Sequence, residues 1–255
     1  MKFLNDFFTE QHLDLKVHMI PCRKDNYSFV LELPGKTAVM IDSTLKEPVM
    51  SFLKAQSLEL KAIFLTHHHY DHVDKVEDFQ NEFGCQIYCS EYDSKRPDIS
   101  GDTSILSEGS VASVSGLDFL TIETPGHTKS HLSFYLKEQN ILFCGDTLFS
   151  LGCGRVLEPY AEAYEDFYAS MQKIKNHCNE ATMIYCAHEY TKANFNFLSS
   201  RGLVDEELKS SVDQNLRENL KTVPTKFSFE IKHNAFLNSK SKKSFKDLRQ
   251  LKDKF

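Results

Sequence analysis

The sequence contains no tryptophan, no Cys-x-x-Cys pair and no apolar run near the ~20 residues that span a bilayer. Each absence excludes something. Without a long apolar run, no transmembrane helix is expected. The seven cysteines, at 22, 85, 89, 144, 153, 178 and 186, are odd in number and lack paired spacing. That pattern supports neither a disulfide framework nor a zinc knuckle. Cys144 and Cys186 lie inside apolar runs, where a thiol acts as a small core hydrophobe. The segment Met1–Gln11 holds Asp6 and Glu10, has no signal-peptide apolar core and is not arginine-rich, so a cytoplasmic location is expected. Broad basic character is missing too. The net charge is -6, and seven Lys/Arg against two Asp within Lys240–Phe255 leave the rest near -11. A nucleic-acid partner is therefore not expected. A small basic patch suited to a small anion remains.

What is present suffices for a large core. Twenty Phe and ten Tyr serve 255 residues, the length of one large domain or of a domain with a smaller companion. Short runs rich in Val, Ile, Phe and Leu predict strands over 15–20, 27–33, 37–42, 61–66, 117–123, 131–136, 140–145 and 182–187. Helical spacing predicts helices over 45–57, 73–83 and 160–177. Beyond about 188 strand signals nearly vanish, and helices are predicted over 190–199, 204–221 and 241–255. The boundary is placed there, with 1–188 as a first domain of mixed strands and helices and 189–255 as a C-terminal helical domain. Strand runs at both ends of the first part favour two sheets covered by helices over one parallel sheet.

The segment Thr66-His67-His68-His69-Tyr70-Asp71-His72 places four metal-type side chains within six residues, which packing does not explain. In extended chain, His67 and His69 share a face and chelate one ion. Asp71 and His72 follow where the chain turns, and serve a second. His68 has the opposite parity and is expected to point away. Three further ligand types, His127, Asp146 and His188, each follow an apolar run, as the central segment does. Strands that each end in such a residue present ligands on rigid supports along one rim. His131 is expected to support the site rather than bind metal.

These residues resemble the metallo-β-lactamase superfamily. The match lies in His-x-His-x-Asp-His, Pro125-Gly126-His127-Thr128, Gly145-Asp146-Thr147 and the late His188. Within it the chain is similar to the glyoxalase II family, through Gly152-Cys153-Gly154-Arg155, His188-Glu189-Tyr190-Thr191, Asp25-Asn26-Tyr27 and Leu248–Asp253. The resemblance runs from about residue 15 to the end. It implies an α/β (α+β) fold, a four-layer αββα sandwich with a C-terminal helical domain. It implies that His67, His69 and His127 hold one divalent ion, that Asp71, His72 and His188 hold another, and that Asp146 bridges them. Zinc is the first expectation, and iron and manganese also accept these ligands. Arg155, Tyr190, Arg249 and Lys252 are implied to contact a glutathione thioester, in an enzyme expected to be monomeric. Several positions depart from the family pattern: Val73-Asp74-Lys75 after the central motif, Ser130, Leu157, and Asn234-Ala235-Phe236-Leu237-Asn238.

The implied reaction is hydrolysis of S-(2-hydroxyacyl)glutathione, with Asp71 and Asp146 as catalytic residues around an attacking hydroxide. The products are glutathione and a hydroxy acid, D-lactate when the acyl group is D-lactoyl. A mononuclear iron persulfide dioxygenase of the same superfamily and a non-catalytic metal-stabilised binding module are the competing readings.

Overall fold

The computed structural model describes residues 7–99, 101–158, 160–218 and 221–255, with the side chains of 215–218 not described. The first six residues of the leader reading, and Asn219 and Leu220 in the helix predicted over 204–221, lie outside the described residues. Among the described residues there are seven α-helices, and the strands form sheets of seven and six strands and a two-stranded ribbon. The chain divides into two compact units. One runs to Glu123 and takes in Phe134–Gln139; the other comprises Thr124–Ser133 and Asn140–Phe255.

The first unit is built on a seven-stranded sheet in sequence order: β1 (Phe8–His12), β2 (Leu15–Cys22), β3 (Asn26–Leu33), β4 (Thr37–Ile41), β5 (Glu59–Phe64), β6 (Gln86–Cys89) and β7 (Thr103–Ile105). The first four strands form an antiparallel meander, and β4 to β7 run parallel. Parallel pairing needs crossovers. The first two are α1 (Lys46–Gln56) and α2 (Val76–Phe83). Their buried faces, Val49, Phe52 and Leu53 on α1 and Val76 and Phe79 on α2, join Val30, Met40, Leu60, Ile63 and Ile87 in one apolar cluster. A hairpin of β8 (Val111–Val114) and β9 (Leu117–Glu123) completes this unit's strands apart from most of β10.

Strand β10 (Leu132–Leu136) is buried throughout. In the second unit, β11 (Ile141–Gly145) pairs in parallel with β14 (Met183–Cys186), and β14 pairs antiparallel with β15 (Thr225–Lys226). Between them, β12 (Leu148–Phe149) and β13 (Gly152–Cys153) make the ribbon. Helices α3 (Ala163–His177), α4 (Thr191–Ser200), α5 (Glu206–Glu218), α6 (Phe227–His233) and α7 (Lys242–Asp253) belong to this unit. Phe245 of α7 is fully buried, with its ring 5.4 Å from Phe167 of α3 and 6.4 Å from Phe236. Ser241 caps α7 by accepting from Ser244 N–H, while Ser244 Oγ accepts from Ser241 N–H, a reciprocal capping box.

The predicted strands and helices are present, with shifted ends. The helix predicted from Val73 begins at Val76, because Val73 instead bridges to Ser43 in parallel. Strands β1, β6, β7, β8, β12, β13 and β15 and helix α6 were not predicted. They are two to seven residues long, and β1 (Phe-Thr-Glu-Gln-His) is an edge strand with no buried residue. All seven cysteines are unpaired and six are buried. Burial raises their pKa values, Cys22 and Cys85 to about 11. No helix among the described residues is long and apolar enough to cross a membrane.

Candidate metal centre

Four expected ligands lie in the first unit, in the irregular segment that follows β5. His67 Nε2 stands 3.0 Å from His69 Nδ1. That separation is within reach of one shared ion with bonds of about 2.0–2.1 Å. His72 Nε2 lies 3.9 Å from Asp71 Oδ2. Asp71 Oδ2 also accepts from Asn26 Nδ2 at 2.8 Å, which sets the direction of the carboxylate. His68 turns the other way, with Nδ1 2.8 Å from Asp93 Oδ1, both side chains being buried.

One residue organises this segment and was missed in the sequence. Asp42, just past β4, is 1 % exposed and has φ +57°. Asp tolerates that left-handed conformation better than most residues, and it aims the carboxylate across to the β5 end. Asp42 Oδ1 accepts from Thr66 N–H at 2.7 Å, and Oδ2 accepts from Thr66 Oγ1 at 2.8 Å and from His72 Nδ1 at 2.8 Å. Thr66 Oγ1, having donated to Asp42, accepts from His67 Nδ1 at 3.0 Å. Both imidazoles therefore carry their proton on Nδ1 and present an Nε2 lone pair, as outer partners of metal-bound histidines do. The available signal was the pattern used elsewhere: an acidic residue directly after the apolar run Val39-Met40-Ile41.

The remaining three expected ligands lie in the second unit, at the ends of loops following β9 and of strands β11 and β14. Asp146 stands between two histidines: Oδ2 is 3.3 Å from His127 Nε2, and Oδ1 is 3.3 Å from His188 Nε2. His127 Nδ1 donates to the Arg155 carbonyl at 2.8 Å, so its Nε2 holds the lone pair. His131, expected as support, accepts from Asp146 N–H at 3.2 Å on Nε2 and has Nδ1 2.9 Å from Thr124 Oγ1. His188 stacks on Tyr190 at 4.7 Å with 8° between the rings.

Two glycines permit the close approaches here. A Cβ on Gly126, whose φ is +138°, would meet Phe167 Cβ at 2.3 Å; one on Gly154 would meet the Asp146 carbonyl oxygen at 2.0 Å. In chemical terms, the imidazoles with directed lone pairs and the carboxylate flanked on both oxygens fit divalent transition-metal ions.

The expected substrate contacts differ among themselves. Arg155 is exposed and Tyr190 half-buried. Lys252 is half-buried, and its amine donates to Asn194 Oδ1 and lies 5.4 Å from the Phe236 ring. Burial, with Arg249 and Arg155 nearby, pulls its pKa down from 10.5 to about 8. Arg249 is 1 % exposed, and its guanidinium is engaged by the protein itself.

A family model for the metallo-beta-lactamase superfamily matches residues 23–188. The hydroxyacylglutathione hydrolase of Pelagibacter ubique is 36% identical, with 94% of this chain and all of that protein covered. The chain belongs to this superfamily, in its hydroxyacylglutathione hydrolase family. The protein of the same name from Bdellovibrio bacteriovorus is also 36% identical, over 93% of this chain and 97% of its own. Among solved structures, the BLEG-1 B3 metallo-beta-lactamase has the same fold, with a TM-score of 0.65 at 22% identity, covering 88% of this chain and all of that one. The expected fold class, the superfamily's αββα sandwich with C-terminal helices, agrees with the two large sheets and the helices that close the chain.

Proposed function

We propose that the chain hydrolyses S-(2-hydroxyacyl)glutathione thioesters such as S-D-lactoylglutathione, using two divalent metal ions, zinc first. The observation that carries this is Asp146, whose two carboxylate oxygens each face a different imidazole at 3.3 Å, the disposition of a bridging ligand. His67, His69 and His127 would hold one ion, Asp71, His72 and His188 the other, with Asp146 shared. When bound, such a pair supplies a water of lowered pKa and an electrophile for the carbonyl of the thioester. Asp71, oriented by Asn26, would hold the attacking water in line. The leaving thiolate, with a pKa near ~8.5, departs without a strong general acid, so the absence of a Ser-His-Asp set from the motifs costs nothing. Arg155, Tyr190 and Lys252 would meet the anionic glutathione portion, with residues 189–255 supplying most of that surface. The names of the relatives, matched over nearly the whole chain, support a hydrolase over the dioxygenase reading. The protein is proposed to act as a cytoplasmic monomer.

The test is thioester cleavage before and after complete chelation, with metal content measured alongside. Activity should vanish with the metal and return on adding zinc. Activity that survives metal removal would sink the proposal. In Asp146→Ala, occupancy of both sites should fall together; retention of two ions at full rate would refute the bridging role.

A further inference from the structure

Arg249 is among the largest fully buried side chains of the described residues, and it is charged. Burying a guanidinium is costly unless its donors are satisfied. Here Nη1 donates to the Cys153 carbonyl at 2.9 Å and to the Gly154 carbonyl at 3.4 Å, and Nη2 pairs with Asp253 Oδ1 at 2.9 Å. The cation also lies 5.4 Å from the centre of the Phe236 ring. Its terminal nitrogens are thus directed at the main chain of the β13 turn and at its own helix. Its Nε, also buried, has no hydrogen-bond partner among the described residues. Lys252 lies one helical turn on, and Arg155 is exposed.

The turn that Arg249 grips leads directly to a ligand. Gly154 fits beneath Asp146 with no space for a Cβ, and its N–H donates to the Thr147 carbonyl at 3.2 Å. The next carbonyl, that of Arg155, accepts the Nδ1 proton of His127 at 2.8 Å. That hydrogen bond sets the tautomer that frees Nε2, which points at Asp146 Oδ2. Helix α7 is itself fixed by its capping box and by Phe245. We infer that Arg249 is a positioning residue for the metal site: from α7 it clamps the Cys153–Arg155 turn and so orients His127 through the Arg155 carbonyl. The inference rests on the reading of His127 as a ligand. It assigns the C-terminal helix a second part, beyond offering cations to the substrate.

The discriminating variant is Arg249→Lys. It retains a cation able to meet an anion, but a lysine cannot span two carbonyls and a carboxylate as the guanidinium fork does. Zinc affinity of the purified protein is measured by competition with a chromophoric chelator. Glutathione affinity is measured as competitive inhibition at saturating zinc. The expected result is a loss of zinc affinity of about 10-fold or more. kcat should fall with the metal and recover at high zinc, with glutathione inhibition close to that of the wild type. Lys252→Met should show the reverse pattern, weaker glutathione inhibition with unchanged zinc affinity. Unchanged zinc affinity in a folded Arg249→Lys protein would overturn the inference. If that variant does not fold, Asp253→Asn removes only the part-exposed anchor of the fork; a smaller loss of zinc affinity supports the clamp, and none overturns it. A wild-type protein that binds no divalent metal would overturn the functional reading itself. Wild-type binding with an indifferent Arg249→Lys would overturn the clamp alone.

Discussion

Replacing Gly154 by Ala adds one methyl group at the tightest point beside the candidate ligands. The added Cβ would lie 2.0 Å from the Asp146 carbonyl oxygen and 3.2 Å from its carbonyl carbon and from His127 Nδ1. An unstrained carbon–oxygen contact needs roughly 3 Å or more, so two segments of main chain must part by about 1 Å. No flexible side chain is available to absorb the movement. The Arg155 carbonyl, now 2.8 Å from His127 Nδ1, would pass beyond the range of a good hydrogen bond. Losing such a support costs about 10–100-fold in metal affinity. A misplacement near 1 Å can cost about 10²-fold in rate. The global cost should be that of ordinary overpacking, about 1–3 kcal/mol. The expected protein is therefore folded, weak in metal and slow. Zinc competition, initial rates on S-lactoylglutathione at excess zinc, and urea unfolding separate the three quantities. A folded Gly154→Ala protein with wild-type zinc affinity and rate would show that the turn and the ligands are not coupled, and would refute the reasoning.

Asp42→Ala should lower metal affinity by about 10–100-fold, since it removes the acceptor of His72 Nδ1 and of Thr66; equilibrium dialysis with zinc checks it, and wild-type affinity would count against Asp42 as organiser. Lys252 should impose an alkaline limb on kcat/KM near pH 8: below it the ammonium complements the anionic substrate, and above it the charge is lost and KM rises. Lys252→Arg should move that limb out of range; a limb that stays identical would assign it to another group. The same depressed pKa means that the charged amine weighs on the folded state below about pH 8 and that this cost vanishes above 10.5. Lys252→Met should therefore gain stability at pH 7, by at most about 3 kcal/mol, and gain less at pH 10.5, as thermal melts at the two pH values would show. Glu230 is fully buried and accepts from Leu151 N–H at 2.9 Å, from Thr225 Oγ1 at 2.8 Å and from Asn234 Nδ2 at 2.8 Å. Glu230→Ala should cost about 3 kcal/mol by stranding these donors. Burial raises the Glu230 pKa, so its protonation stabilises the fold below the ordinary carboxylate range, and that contribution is lost as pH rises through the raised value. Glu230→Gln should accordingly compare best with the wild type at the alkaline end of a denaturation series, and a gap independent of pH would contradict this.

The elements legible in the sequence are those whose side chains carry their own period. β2, β3, β4 and β11 are dense in apolar residues, and α3 repeats Phe167, Met171 and Ile174 along one face. The ligand types were legible as well. Four such residues crowd residues 67–72, and His127, Asp146 and His188 each follow an apolar run, a local pattern that needs no knowledge of the fold. Strand β1, with its polar edge, and the three-residue β7 carry too few apolar residues to show a period. They exist because a neighbouring strand offers unpaired main-chain groups.

The sequence by itself therefore determined the family, the elements with a strong period and the residues proposed as ligands. Tertiary structure alone decided which polar residues stand behind the ligands. Asp42 reads as one more acid at the end of a predicted strand until β4 and β5 lie side by side and bring Thr66 and His72 to it. Glu230 carries no signal of its role in the sequence, yet it is buried against the Leu151 amide 79 positions away. Arg249 reads, through the family resemblance, as a cation for the substrate, and the amphipathic spacing of α7 does not place it against the main chain. Its partners, Cys153 and Gly154, lie nearly a hundred residues earlier. Hydrophobic period is a local property of the chain, whereas satisfying a buried charge requires groups that only folding brings within 3 Å.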